Sequence, residues 1–139
     1  MNMKTKDWND DVRDMHRKYG VHEVIENFDA PHLREYLQFR LNFLEEELNE
    51  TKTAASKTPV DAEEVVDGLI DLCVVAIGTL DAFGIDSQEA WSKVHSANMS
   101  KVVGIKPERP NPLGLPDLIK PAGWVAPSHE GNHGKISSL

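Results

Sequence analysis

The chain has 139 residues, a formal net charge of −8 and a pI near 5.2. That is the length of one domain, and its acidity argues against a nucleic-acid or membrane-surface partner. One cysteine, Cys73, leaves no disulfide framework, and no apolar run reaches the roughly 18 residues that would span a membrane. Lys4, Lys6 and Asp7 precede any apolar stretch, so no signal peptide is expected and the default compartment is the cytosol.

Residues 5–19 read as an amphipathic helix with Trp8, Val12, Met15 and Tyr19 on one stripe, stopped by Gly20. His16 flanks that stripe as a boundary packing residue, with base recognition as its alternative role. The connection from Val21 to Ala30 shows no clear element, while Asp29, Ala30 and Pro31 suit the start of the next helix, over about 31–53. Thr51–Lys57 reads as a polar linker. Thr58-Pro59 then looks like an N-cap with proline at the first helical position, which places Glu64 beyond the cap's reach. An apolar helix follows and ends at Phe83-Gly84. Asp86-x-x-Glu89 resembles a capping box for a last helix over about 87–101, whose inner face carries Trp91, Val94, His95, Asn98 and Lys101. From Val102 onward lie six of the eight prolines, so no regular helix or strand is expected there. Trp124 is expected to dock, and Ser128–Leu139 to be polar and mobile. The division expected is 1–101 as the helical domain and 102–139 as an irregular tail.

The acidic residues are informative because of where they fall. At about 100° per residue, Leu33, Leu37, Leu41, Leu44 and Leu48 share one arc of the second helix. Glu45 and Glu46 fall outside it, as surface charges do; Glu47 falls within it and Glu50 at its edge. Arg40 shares the arc with Glu47, either as an ion pair one turn away or as a contact for phosphate. The next helix, Val65 to Phe83, is apolar nearly all round and is expected to be buried, yet Glu64, Asp67 and Asp71 line one narrow stripe of it. Buried carboxylates that repel one another call for a compensating cation. Oxygen donors with no Cys or His among them suit Mg²⁺ or Mn²⁺; a partly solvated acidic groove is the other reading. A helix apolar on all faces also needs more cover than so short a chain supplies, so a homo-oligomer, dimer or tetramer, is expected.

Glu46-Glu47-x-x-Glu50 followed by Glu64-x-x-Asp67 resembles the EExxE…ExxD signature of the all-α, MazG-like nucleoside triphosphate pyrophosphohydrolases, relatives of phosphoribosyl-ATP pyrophosphohydrolase. The similarity continues through Asp67-Gly68-Leu69-Ile70-Asp71-Leu72 and Phe83-Gly84-Ile85-Asp86. It ends at Val94-His95-Ser96-Ala97-Asn98-Met99-Ser100-Lys101, which looks like a segment of phage and bacterial members, and it covers roughly residues 5–127.

The resemblance implies an all-α fold of four helices with a docked proline-rich tail, and an enzyme that splits a nucleoside triphosphate into monophosphate and pyrophosphate. It implies Glu47, Glu50, Glu64 and Asp67 as metal ligands, with Asp71 extending their stripe and Glu47 or Glu50 doubling as general base. Asn98 and Lys101, assisted by Arg40, would hold phosphates; Trp8, His16 and Trp91 would contribute to a base pocket. Guanine nucleotides, dGTP or GTP, are the favoured substrates in nucleotide-pool control. Phosphoribosyl-ATP, dUTP and dCTP remain open, as does a non-enzymatic di-metal helical bundle. That last class usually carries Glu-x-x-His pairs on its bundle helices, and none falls within the helices expected here.

Overall fold

The computed structural model describes residues 6–109, 113–114 and 116–139. It is mostly helical: α1 (Trp8–Lys18), α2 (Val21–Glu26), α3 (Ala30–Ala55), α4 (Ala62–Ala82) and α5 (Ser87–Met99), then a two-stranded hairpin, β1 (Val102–Gly104) and β2 (Asp117–Ile119), and a short 3-10 helix, Gly134–Ser138. The all-α class holds, with one helix more than expected. The expected start of the first helix at residue 5, and Pro110 and Pro112, lie outside the described residues.

Two compact units divide the chain. Residues up to Ser87 with His133–Leu139 form one, and Gln88–Asn132 the other, so the division falls within α5 and not after residue 101.

Local chemistry explains the boundaries of the first unit. The Asp7 side chain accepts the Asp10 N–H, and the Asp10 side chain returns the bond, a reciprocal cap at the start of α1. Gly20 takes φ 72° and turns the chain into α2, which occupies the connection that carried no periodic signal. Asp29 caps α3 through the His32 N–H at 3.0 Å, with Pro31 in the first turn as anticipated. The helix runs two residues beyond the expected end, to Ala55. The cap of α4 is Asp61, whose carboxylate accepts the Glu64 N–H at 3.2 Å; it is not Thr58. Glu64 therefore sits in the capped first turn, contrary to the expected spacing. Phe83 ends α4, and Gly84 at φ 72° with the Ile85 N–H on the Leu80 carbonyl completes its C-terminus.

Ile25, Leu33, Ala82, Phe83 and Ile85 form the core of this unit, with Val21, Phe28, Tyr36, Leu37 and Leu80 packed around it. Leu139 joins them, and the Lys135 N–H donates to the Phe83 carbonyl at 2.8 Å. The C-terminal residues are thus docked, which corrects the expectation of a mobile end: one terminal leucine finds an apolar seat that polar neighbours did not advertise.

Burial within the single chain differs from the sequence pattern in two helices. In α1 the buried residues are Val12 and His16, while Trp8, Met15 and Tyr19 are exposed. In α4 the buried residues are Gly68, Val75, Gly78, Thr79 and Ala82, whereas Val66, Leu69 and Ile70 are exposed, Val66 by 63%. Among the described residues the helix packs chiefly against α3, with further contacts to α1 and α2, and Val66, Leu69 and Ile70 stay open.

In the second unit, β1 and β2 pair antiparallel with Val103 opposite Leu118, an element not expected in so proline-rich a stretch. Trp124 docks as anticipated, its indole N–H donating to the Ala97 carbonyl at 2.9 Å. Lys101 and Lys120 lie over its ring, 5.3 and 5.1 Å from the centroid. No single helix among the described residues is long and apolar enough to cross a membrane.

Candidate active site

Acidic residues of α3 and α4 flank a close contact between the two helices, and a glycine permits that approach. A Cβ at Gly68 would overlap the Thr51 hydroxyl and lie 3.2 Å from the Thr51 Cβ. Thr51 is itself buried and donates to the Glu47 carbonyl at 2.7 Å. Glu47 stands one turn before Thr51 on α3, while on α4 Asp67 directly precedes Gly68 and Asp71 follows it by three residues.

Their electrostatics show mutual influence across the two helices. Partial burial, then the charges of Asp71, Glu50, Asp67 and Glu46, push the Glu47 carboxyl above its ordinary range. Partial burial, the charge of Asp67 and a hydrogen bond with Asp67 do the same to Asp71. Neighbouring carboxylates thus raise the cost of charging Glu47 and Asp71, and this face carries negative charge that no neighbouring cation offsets among the causes of either shift.

The expected ligands are less buried than the sequence suggested. Glu50, Glu64 and Asp67 are exposed, and Glu47 and Asp71 half-buried, because the groove is open on the side of the uncovered α4 face. Deep desolvation is therefore not what asks for a cation here; repulsion among neighbouring acids is. The donor set is hard oxygen throughout, which fits Mg²⁺ or Mn²⁺. The carboxylate oxygens do not converge as tightly as a loaded site requires: the three-residue cluster whose ligand atoms lie within 4.8 Å of one another, among the described residues, is elsewhere.

Arg40 does not pair with Glu47. Its Nε donates to Thr79 Oγ1 at 3.0 Å and its Nη2 to the Val75 carbonyl at 2.9 Å, fastening α3 to α4. Gly78 makes room for it, since a Cβ there would stand 2.8 Å from Arg40 Nη2 and 3.2 Å from His16 Nε2. The expected phosphate role gives way to this anchoring.

His16 is likewise neither a boundary residue nor open to a base. It is 5% exposed and its Nδ1 lies 2.8 Å from Asp81 Oδ2. His22 Nε2 meets the same oxygen at 2.7 Å, and Arg13 Nε approaches the other carboxylate oxygen at 3.4 Å. Burial disfavours the charged Asp81 carboxylate, but hydrogen bonds and charges from His22 and His16 outweigh it and hold the carboxyl below its ordinary range. This cluster escaped the sequence reading. Its one signal was spacing: Asp81 stands fourteen residues, two heptads, after Asp67 and so returns to nearly the same face of α4.

Trp8 lies exposed at the start of α1. The remaining expected substrate contacts belong to the second unit. Trp91 and Asn98 are exposed there, so α5 has no inner face of the kind expected; Lys101 is half-buried against Trp124. A cleft of about 540 Å³ in this unit is lined by Ser92, Lys93, Ser96, Ser100 and the 125–128 segment. A second, of about 390 Å³ in the first unit, is bordered by Arg13, His22, Asp81 and Lys135. Neither is lined by Glu47, Glu50, Glu64, Asp67 or Asp71.

No curated protein matches the sequence. The family model described as phosphoribosyl-ATP pyrophosphohydrolase matches residues 19–98, a span that holds α2, α3, α4 and most of α5 with every acid of the groove. That span exceeds half of the chain, and the chain belongs to this family of pyrophosphohydrolases.

Proposed function

We propose that the protein hydrolyses a nucleoside triphosphate between the α and β phosphates, releasing a nucleoside monophosphate and pyrophosphate, with dGTP or GTP as the favoured substrate. The observation that carries this reading is the acidic groove between α3 and α4, where Glu47, Glu50, Asp67 and Asp71 act on one another electrostatically. Glu47, Glu50, Glu64, Asp67 and Asp71 would hold Mg²⁺ or Mn²⁺. Bound there, such ions neutralise phosphate charge and lower the pKa of a coordinated water. Glu47 or Glu50 would serve as general base, since a carboxylate beside a metal-bound water can orient it and accept its proton. Asn98 and Lys101 would contact phosphate oxygens, and Trp8 or Trp91 would stack on the base.

The same reading includes a homo-oligomer. Leu41 and Leu48 on α3 and Val66, Leu69 and Ile70 on α4 are all exposed. A second chain on that face would cover apolar surface and narrow the open groove around its acids, which strengthens their hold on a cation.

The family's own description favours phosphoribosyl-ATP as the second reading. Both substrates are cut at the same bond, so a panel of ribo- and deoxyribonucleoside triphosphates plus phosphoribosyl-ATP, with Mg²⁺ or Mn²⁺ and with EDTA, separates them. Glu50→Gln or Asp67→Asn is expected to lower turnover by about 10²–10⁴-fold with the fold retained, while Glu45→Gln stays within a few-fold of the unmodified chain. Orthophosphate as the primary product, or full activity after loss of Glu50, would refute the reading.

A further inference from the structure

The acidic groove uses one end of α4; the other end carries different chemistry. His16 from α1, His22 from α2 and Asp81 from the last turn of α4 bring three ligand-capable atoms within 4.8 Å of one another. The imidazoles stand edge to face, with centroids 5.9 Å apart and planes at 85°, so each presents a ring nitrogen to the shared oxygen without stacking on the other. We propose that His16 Nδ1, His22 Nε2 and Asp81 Oδ2 form a transition-metal site that takes Zn²⁺, separate from the carboxylate groove and independent of what that groove hydrolyses.

Two observations favour an ion over a simple hydrogen-bonded trio, the donor types and the engaged second oxygen, and one distance states what binding must change. Two imidazole nitrogens and one carboxylate oxygen are the donors that borderline-soft Zn²⁺ prefers and Mg²⁺ does not. Ligands about 2.0–2.1 Å from a tetrahedral zinc are about 3.3 Å apart, so the 2.7 and 2.8 Å separations from Asp81 need to open by about half an ångström. The second carboxylate oxygen is already engaged by Arg13, which leaves Oδ2 aimed inward, as an outer partner of a ligating carboxylate does.

The surroundings also settle what kind of site it is. Asp81 and His22 border the 390 Å³ cleft, whose rim carries Arg13 and Lys135. The fourth position therefore opens on a cleft with two cationic side chains and accommodates water or a small anion. Those same cations weaken the hold on Zn²⁺, so the site is expected to be reversible and not permanently filled.

The test uses the full chain, stripped with chelator and titrated with ZnCl₂ alone by calorimetry at neutral pH, with excess Mg²⁺ present to occupy the acidic groove. One Zn²⁺ per chain is expected, with a rise in melting temperature by mass action. His22→Ala removes a ligand that is 31% exposed and is expected to weaken uptake more than about 10-fold. Asp71→Asn, in the other groove, leaves uptake unchanged. Co²⁺ in the unmodified chain should give paramagnetically shifted imidazole proton resonances, a result that needs no variant. No uptake at one equivalent, uptake unchanged in His22→Ala, or absence of shifted imidazole signals would overturn the site and leave Asp81 as a hydrogen-bond hub.

Discussion

Gly68 offers a perturbation in which two simple arguments predict opposite signs. By helix propensity alone, Gly68→Ala within α4 stabilises by about 1 kcal/mol. The packing argues otherwise. The new methyl would overlap Thr51 Oγ1, stand 3.2 Å from its Cβ and 3.5 Å from its Cγ2, and Thr51 is only 7% exposed. Thr51 could turn its hydroxyl away, but that breaks its 2.7 Å bond to the Glu47 carbonyl, at about 1 kcal/mol. Overpacking of a tight contact costs about 1–3 kcal/mol more. The net is a destabilisation of about 1–3 kcal/mol, or a fall in melting temperature of roughly 4–12 °C at about 4 °C per kcal/mol. The displaced helices would also separate Glu47 from Asp67 and Asp71, so Mg²⁺ affinity is expected to fall with stability.

A double-mutant cycle isolates the contact. Thr51→Ala removes the oxygen and the methyl, leaving a 3.2 Å approach that a shift of a few tenths of an ångström relieves. Gly68→Ala combined with Thr51→Ala is therefore expected to be more stable than the sum of the single changes by about 1 kcal/mol or more. Thermal and urea denaturation of the four proteins provide the numbers. A stabilised Gly68→Ala, or additivity within about 0.5 kcal/mol, would refute the account of how α3 and α4 are brought together.

The raised Glu47 and Asp71 carboxyls set a pH dependence in metal-free protein. Groups raised in the folded state keep their protons longer than the unfolded chain does, so their contribution to stability falls as pH rises from the ordinary carboxylate range through the raised values. Asp71→Asn removes part of that loss; its advantage over the unmodified chain in urea with EDTA should widen with rising pH, and a gap independent of pH would count against the coupling. Asp81 works in the opposite sense: its carboxyl is held below the ordinary range, so its contribution is present above that range and lost as pH falls through the lowered value. Acid titration of Asp81→Asn beside the unmodified chain should show a shallower loss in the variant, and identical slopes would discount the histidine partners. At the C-terminus, Gly134 sits at φ 53° with the Phe83 carbonyl where a Cβ would go. Gly134→Ala is expected to undock residues 133–139 and lower stability by about 1–2 kcal/mol or more, with a melting temperature close to that of the 133–139 deletion. An unchanged melting temperature would refute the docking.

Much of the helical frame was legible because its signals are local. Asp29 before Pro31 and Phe83 before Gly84 each depend on neighbours within one or two turns, and each stands where the pattern put it; of the leucine arc of α3 only Leu33 is buried, and Leu41 and Leu48 are exposed. The misreadings share a different cause. Thr58 and Asp61 are both sound caps, and only the bond from the Glu64 N–H chooses between them. α2 is six residues long, too short for a period to emerge, so His22 had no face to be assigned to. Trp8, Met15 and Tyr19 made a convincing stripe, but His16 is drawn inward by Asp81, sixty-five positions away, and the helix turns accordingly.

The acids of α4 follow from the same distinction. Asp67, Asp71 and Asp81 look alike in the sequence, three carboxylates in an apolar helix. Asp67 and Asp71 face other acids across α3 and next to each other, so each raises the cost of charging its neighbour. Asp81 faces two imidazoles and a guanidinium, which lower that cost. Periodicity could say that all three lie near one face; only the partners that folding supplies decide their charge. Around Asp67 and Asp71 the negative charge is in excess and calls for a hard cation, while around Asp81 nitrogen donors stand ready for a softer one. The distance between the two ends of one helix is what allows a single short chain to keep these chemistries apart.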